Sequence, residues 1–238
     1  VYGRYLRIIG VKSNYKVITD EIALKEFITW LPDLDNGETY YYCLFSRRKY
    51  DSNQTLKSDK QQLKRGTSSK EFLFEKLKQL EVVVGSYYQK HYPIPQETLA
   101  AYITINPRSY EKATKESIKK LVDLVTKPYN GYNPHQEVMS NIQVAWSRKI
   151  YTDFDFDNIS ISEIKPLLIG EINNDCLTCI ETRSGFHLLV ESSKVDKKYA
   201  KSWYNTITQL PNCDVRGDNL CPIPGTYQGG FTPKMIKL

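Results

Sequence analysis

The sequence has no run of about 18 apolar residues, the least a membrane-spanning helix needs, and no secretory pattern near its start, so a soluble protein is expected. It has too few cysteines for a disulfide framework: five, an odd number at irregular spacing, read as reduced thiols of a cytosol. Cys176 and Cys179 do form a C-x-x-C, with Cys213 and Cys221 downstream as further zinc ligands. The first pair falls in or beside an apolar strand, "CLTCIET", where the two thiols would point to opposite faces. Buried thiols are therefore expected there, and zinc is not. Internal repeats are absent. Acidic residues are outnumbered, and the net charge of +6 fits an anionic partner such as nucleic acid or a nucleotide, although charge alone does not name one.

With 238 residues, the chain suits one large or two small domains. One stretch stands out: "YTDFDFDNI", residues 151–159, places Asp153, Asp155 and Asp157 at every second position. Side chains alternate across a strand, so the three carboxylates share one face, and Ile150, Thr152, Phe154 and Phe156 take the other. Like charges on one face repel, and Asp is a poor strand former. A cation at that face would make the arrangement tolerable; the plainer alternative is the wet face of a surface strand. A calcium loop is excluded, because it needs Gly at its sixth position and Glu at its twelfth, where this chain has Asn158 and Ile164.

The amino-terminal half reads as mixed. "DEIALKEFITWL" has helical spacing and "ETYYYCLF" reads as a strand. The basic, polar stretch "SRRKYDSNQTLKSDKQQLKRGTSS" that follows predicts a long mobile loop, or a segment ordered only on nucleic acid. A helix over Lys70–Leu80, a strand over Leu99–Ile105 and helices near Lys115–Val125 and Glu137–Ser147 lead up to the Asp strand.

From residue 150 the order predicted is strand 150–156, a helix in "SEIKPLLIGEI", strands 177–183 and 186–191 around Ser184–Gly185, a helix near 197–209 and a last extended segment. This is β-α-β-β-α-β, the ferredoxin-like or RNA-recognition-type unit of the α+β class, with helices on one sheet face and the other open. On the third strand Phe186, Leu188 and Val190 share one side, so His187 projects onto the open face with the aspartates. His187 is one of three histidines, and a lone strand histidine is often only structural. Here it comes with the Gly185 turn, which brings backbone close to whatever binds.

An Asp-x-Asp strand, the "TRSGFHLLV" hairpin and an acidic segment leading into "IPGTYQGG" together resemble the archaeo-eukaryotic primase superfamily, in its mobile-element and phage primase-polymerase branch. That family carries hydrophobic-D-x-D, small-x-His and hydrophobic-Asp motifs. Asp153 and Asp155 match the first, Gly185-Phe186-His187 the second and Cys213-Asp214 the third, with Pro224-Gly225-Thr226 after it. A third aspartate at 157 leaves the register of the pair open, and Asp218 is the alternative to Asp214. The resemblance covers roughly residues 100–238.

The resemblance implies a single primase-polymerase catalytic domain over 1–238, with an α/β subdomain at 1–98 and an RNA-recognition-type catalytic subdomain at 99–238. It implies template-directed nucleotidyl transfer with two divalent ions, Mg²⁺ or Mn²⁺, held by Asp153, Asp155 and Asp214. His187 would meet the triphosphate, with Arg183, Ser184 and Gly185 nearby, and Arg108 and Lys234 are weaker phosphate-contact candidates. Arg47, Arg48, Lys49, Lys64 and Arg65 would track a template backbone. The partners implied are single-stranded DNA, nucleoside triphosphates and a replicative helicase, fused or separate; no membrane is involved, and the setting is a bacterial, phage or plasmid cytoplasm. Two other readings stand beside this one: a metal-dependent nuclease, and a non-catalytic RNA-recognition-type binder. Against the binder, the open face offers carboxylates rather than stacking aromatics.

Overall fold

The computed structural model describes residues 13–58, 60–89, 91–129, 131, 133, 136, 140–217, 220–236 and 238. Its elements run β1 (Glu38–Arg47) after α1 (Glu21–Trp30), then β2 (Lys60–Ser68), α2 (Leu73–Lys78), β3 (Tyr88–Gln89), β4 (Tyr92–Pro93), β5 (Leu99–Thr104), β6 (Arg108–Ser109) and α3 (Tyr110–Val125). After these come α4 (Asn141–Val144), β7 (Tyr151–Asp157), α5 (Ile161–Leu168), β8 (Leu177–Thr182), β9 (Gly185–Glu191), α6 (Trp203–Thr208), β10 (Cys213–Gly217), β11 (Leu220–Pro222) and β12 (Lys234–Ile236). The fold is α+β with antiparallel sheets. Among the described residues no helix is long and apolar enough to cross a membrane.

Two five-stranded sheets carry the molecule. The first runs β11-β5-β1-β2, with β6 also on β1, and the second runs β10-β7-β9-β8-β12. The strand at Leu99–Thr104 thus pairs with β1, and β11 joins the same sheet from far along the chain. Of the helix expected over Glu137–Ser147, residues 141–144 are helical and 137–139 lie outside the described residues. The helix expected near 197–209 is shorter, over Trp203–Thr208.

The periodicity of β7 and β9 explains the second sheet's inner layer. Phe154, Phe156, Phe186, Leu188 and Val190 are all buried with Ile164 and Leu168 of α5 and Ile207 of α6. Phe156 stacks on Phe186 with ring centroids 4.6 Å apart. Ser160 and Glu163 form a reciprocal cap that starts α5 immediately after the Asp strand. The opposite face is not open as expected. Tyr151, Ile180 and Leu189 stand on it and share one core with Tyr42, Leu44, Ala101 and Ile103 of the first sheet. Those apolar side chains would otherwise face water, so the first sheet covers them.

The basic stretch after β1 is likewise not a long mobile loop. Asp51 accepts hydrogen bonds from the amides of Asn53 (3.2 Å) and Leu56 (2.7 Å) and from the Thr55 hydroxyl (3.0 Å), which folds 51–56 into a fixed turn. Tyr50 and Leu56 are buried and anchor its two ends. Residues 60–68 then pair with β1 as an edge strand, and an edge strand wet on one side needs few apolar residues.

A bidentate ion pair ties the start of β1 to the approach of the Asp strand: Arg148 Nε and Nη2 donate to Glu38 at 2.9 and 2.7 Å. Burial pushes the Glu38 carboxyl up, but hydrogen bonds from Arg148, Ser147 and the Asp35 amide outweigh it and hold the group down at about 2. A depressed carboxyl stabilises the fold above its unfolded value and loses that contribution as pH falls through the folded one. We therefore expect Glu38 to contribute about 2 kcal/mol at neutral pH, after discounting for the half-exposed Arg148, and to lose it between about pH 4.5 and 2. Urea unfolding across that range should show a shallower pH slope for Glu38→Gln than for wild type; parallel curves would refute the assignment.

Candidate functional site

Register, more than proximity in sequence, builds the site. In the second sheet Asp155 lies directly opposite His187 of β9 on one side and Asp214 of β10 on the other. Residues paired in this way point to the same face, so the three form one cross-strand row. Asp153, one row along, is fully buried, whereas Asp155 is half-buried and Asp157 and Asp214 are exposed. Asp218 lies outside the described residues.

His187 bridges the inner and outer carboxylates. Its Nδ1 stands 2.8 Å from Asp153 Oδ1, a hydrogen bond in which the ring must donate, since a carboxylate only accepts. Its Nε2 is 3.6 Å from Asp155 Oδ1, too long for a hydrogen bond. The other Asp153 oxygen, Oδ2, is buried with no hydrogen-bond partner among the described residues. Beside it comes Cys221, carried in on β11: ligand atoms of Asp153, His187 and Cys221 all lie within 4.8 Å of one another, and this group can hold a metal ion. Burial, and then the charges of Asp153 and Asp155, push the Cys221 thiol well up from its ordinary value.

From this row a cavity of about 320 Å³ opens between the sheets. The second sheet contributes Asp155, Asp157, Thr182, Ser184 and His187; the rest of the lining is Arg47, Lys49, Lys60, Tyr102, Gln143, Leu220, Pro222 and Gln228. Three cations thus face the carboxylates. Arg47 donates from Nη1 to the Tyr102 hydroxyl at 2.7 Å, and its Nε is buried without a hydrogen-bond partner among the described residues. Lys60 lies over the Phe45 ring at 4.4 Å, and Lys49 over that of Tyr50 at 5.2 Å. Aromatic stems of this kind hold cations where they would otherwise swing into solvent.

The hairpin between β8 and β9 closes one end. Arg183 is exposed and packs on Tyr50 at 4.8 Å, while its amide donates to Gln228 Oε1 at 3.0 Å. The Ser184 hydroxyl reaches Asp157 Oδ1 at 3.3 Å. Gly185 is needed for a reason its position in the motif does not reveal: a Cβ there would stand 1.8 Å from the Phe156 carbonyl oxygen. Gly225 of "PGT" has φ +78°, and its carbonyl accepts from the amides of Thr19 (2.9 Å) and Asp20 (3.0 Å), so this turn braces the start of α1 rather than lining the cavity.

Not every residue expected at the site is brought to it. Arg108 is fully buried, in β6 against β1 and Trp146, and does not line the cavity. Lys234 pairs opposite Glu181, which itself pairs opposite Phe186, so it stands on the helix side of the sheet, away from His187. Arg48 and Lys64 are exposed off the cavity, and Arg65 donates to the Gln136 carbonyl at 3.3 Å. Cys176 and Cys179 do not point to opposite faces: Cys176 ends a 3-10 turn before β8, and both pack in the helix-side core. Sequence reasoning missed Lys60, Tyr102 and Gln228 at the cavity, and grouped Cys221 with Cys176, Cys179 and Cys213 rather than with Asp153 and His187. Lys60 was visible as part of the basic stretch and Gln228 as the neighbour of "PGT"; Tyr102 gave no local signal, and nothing local tied Cys221 to the Asp strand.

No family model, curated protein or solved structure matches this chain. Fold and site define an α+β protein with a cavity between two antiparallel sheets, carboxylates and a histidine on one wall and cations on the other.

Proposed function

We propose that this protein is a template-directed nucleotidyltransferase of the primase-polymerase kind. One observation carries the reading: Asp155, Asp157 and His187 face Arg47, Lys49 and Lys60 across a single cavity. A nucleoside triphosphate with its divalent ions requires that pairing, oxygen donors for the ions and cations for the phosphates. The strand order β10-β7-β9-β8 within the second sheet, built by β-α-β-β-α-β connections, supports the RNA-recognition-type arrangement as the scaffold.

The donor set fits Mg²⁺ or Mn²⁺ at the outer end of the row. Asp155 and Asp214 are directly opposed, and the fully buried Asp153, hydrogen-bonded to His187, stands one row further along. Two divalent ions would supply an activated 3′-oxygen and charge neutralisation at the departing pyrophosphate. The chain's own groups bind and orient. Lys60 and Arg47 hold the phosphates, Asp153 fixes the ring of His187 so that Nε2 faces the cavity, and Gln228 steadies the Arg183 turn. Arg48 and Lys64, exposed beyond the cavity, are placed to meet the template strand electrostatically.

The test is incubation with a single-stranded DNA template, nucleotides and Mn²⁺ or Mg²⁺, with and without a primer. Extended or de novo product is expected; shortening of a labelled strand would instead make it a nuclease, and binding without product a recognition module. A sharper check is Lys60→Ala, which should weaken triphosphate binding about tenfold or more, the scale of one charge-assisted hydrogen bond, and leave template affinity unchanged. Equal losses in both affinities would remove the phosphates from this wall.

A further inference from the structure

We propose that Asp153, His187 and Cys221 form a thiolate-containing site for a borderline-soft divalent cation of the zinc class, distinct in chemistry from the oxygen-ligated ions of nucleotidyl transfer. Three features converge on it. The donor atoms of all three residues lie within 4.8 Å of one another, so side-chain shifts of about an ångström bring them to the roughly 3.5 Å separations that a tetrahedral ion with bonds of about 2.0–2.3 Å imposes. All three side chains are buried, His187 the most exposed of them at 7%. Asp153 Oδ2, buried in this group, has no hydrogen-bond partner among the described residues, and an uncompensated carboxylate oxygen is costly away from water.

The donor types select the ion. One sulfur, one imidazole and one carboxylate suit zinc, cobalt or cadmium, whereas Mg²⁺ takes oxygen and keeps its waters. Three protein donors leave a fourth position open, as in sites where zinc carries a water or a substrate atom.

Binding releases one proton and moves another. The Cys221 thiol gives its proton to solvent and becomes the thiolate ligand; burial resists that step, and the ion's charge favours it. Nδ1 is the ring nitrogen beside Asp153, so it is the one an ion shared with Asp153 takes, and the proton it carries passes to Nε2. Nε2 is the nitrogen 3.6 Å from Asp155. An ion at the inner site would thereby turn the cavity-facing nitrogen of a neutral His187 from acceptor into donor.

The experiment uses Co²⁺ as the probe on the purified full chain, without nucleotide or template, so its failure is distinct from failure of the nucleotidyl-transfer reading. One Co²⁺ per chain is expected, with a sulfur-to-cobalt charge-transfer band in the near ultraviolet. Cys221→Ala should abolish the band and weaken Co²⁺ at least tenfold, while Cys176→Ala should keep both. If Cys221→Ala fails to fold by circular dichroism, Cys221→Ser serves in its place, and His187→Ala should also lower the affinity. Absence of stoichiometric binding, binding without the band, or a band that survives in the Cys221 variant would each overturn the proposal.

Discussion

Replacing Asp155 by alanine is expected to reduce nucleotide incorporation at least about a hundredfold while the melting temperature holds or rises. Loss of one preorganised electrostatic partner at a reacting centre costs on the order of 10²–10³ in rate. Asp155 occupies the middle of its row, directly between Asp214 and His187, and it lines the cavity. Its neighbours on the same face are Asp153 and Asp157 of its own strand and Asp214 across it, so its removal takes away like-charge repulsion. Activity and stability should therefore move in opposite directions, which a purely structural aspartate would not produce. Rates are to be measured at saturating template with Mn²⁺, and melting without metal. Wild-type incorporation by the variant would remove Asp155 from the reacting centre, and a fall in both quantities would make it structural.

The second large effect is on stability. Gly185→Ala should cost about 3 kcal/mol, near the upper end of what overpacking does, and lower the melting temperature by about 6–12 °C for a domain of this size. The reason is the 1.8 Å approach of a Cβ to the Phe156 carbonyl. That oxygen belongs to the backbone of β7, so no rotamer change relieves the clash, and β9 must move away from β7. His187, two residues along β9, would leave its register with Asp155, so nucleotide affinity should fall with the melting temperature. Ser184→Ala, next door, keeps the backbone and loses one 3.3 Å contact with Asp157; it should melt within about 2 °C of wild type. A Gly185→Ala protein as stable as wild type would refute the close approach of Gly185 to the backbone of β7.

How much of this was legible beforehand can be followed through particular residues. Period-two alternation placed Asp153, Asp155 and Asp157 on one face of a strand and Phe154 and Phe156 on the other, and the same rule set His187 apart from Phe186 and Leu188. These are local consequences of the pleat, and the structure has them. The helix and strand order after residue 150 followed from the same periodicities. The basic stretch is the exception, because a lack of apolar residues does not mean a lack of structure. An edge strand satisfies its backbone on β1 and needs little else, and Asp51 orders the intervening turn through hydrogen bonds that no periodicity reveals.

By itself, then, the sequence determined the second sheet's helix-covered face and the composition of the acidic row. Tertiary structure decided what lies over that row. The first sheet covers Tyr151, Ile180 and Leu189 and leaves Asp155 and Asp157 at a cavity rather than on an open surface. The same packing brings Lys60 and Arg47 opposite the carboxylates, buries Arg108 and turns Lys234 away. It also carries Cys221 to Asp153 by pairing β11 with β5, across more than a hundred residues of chain. The physical reason is that alternation along a strand is set by neighbouring dihedral angles, whereas the partner that buries a face is chosen by long-range pairing and by the apolar area left uncovered.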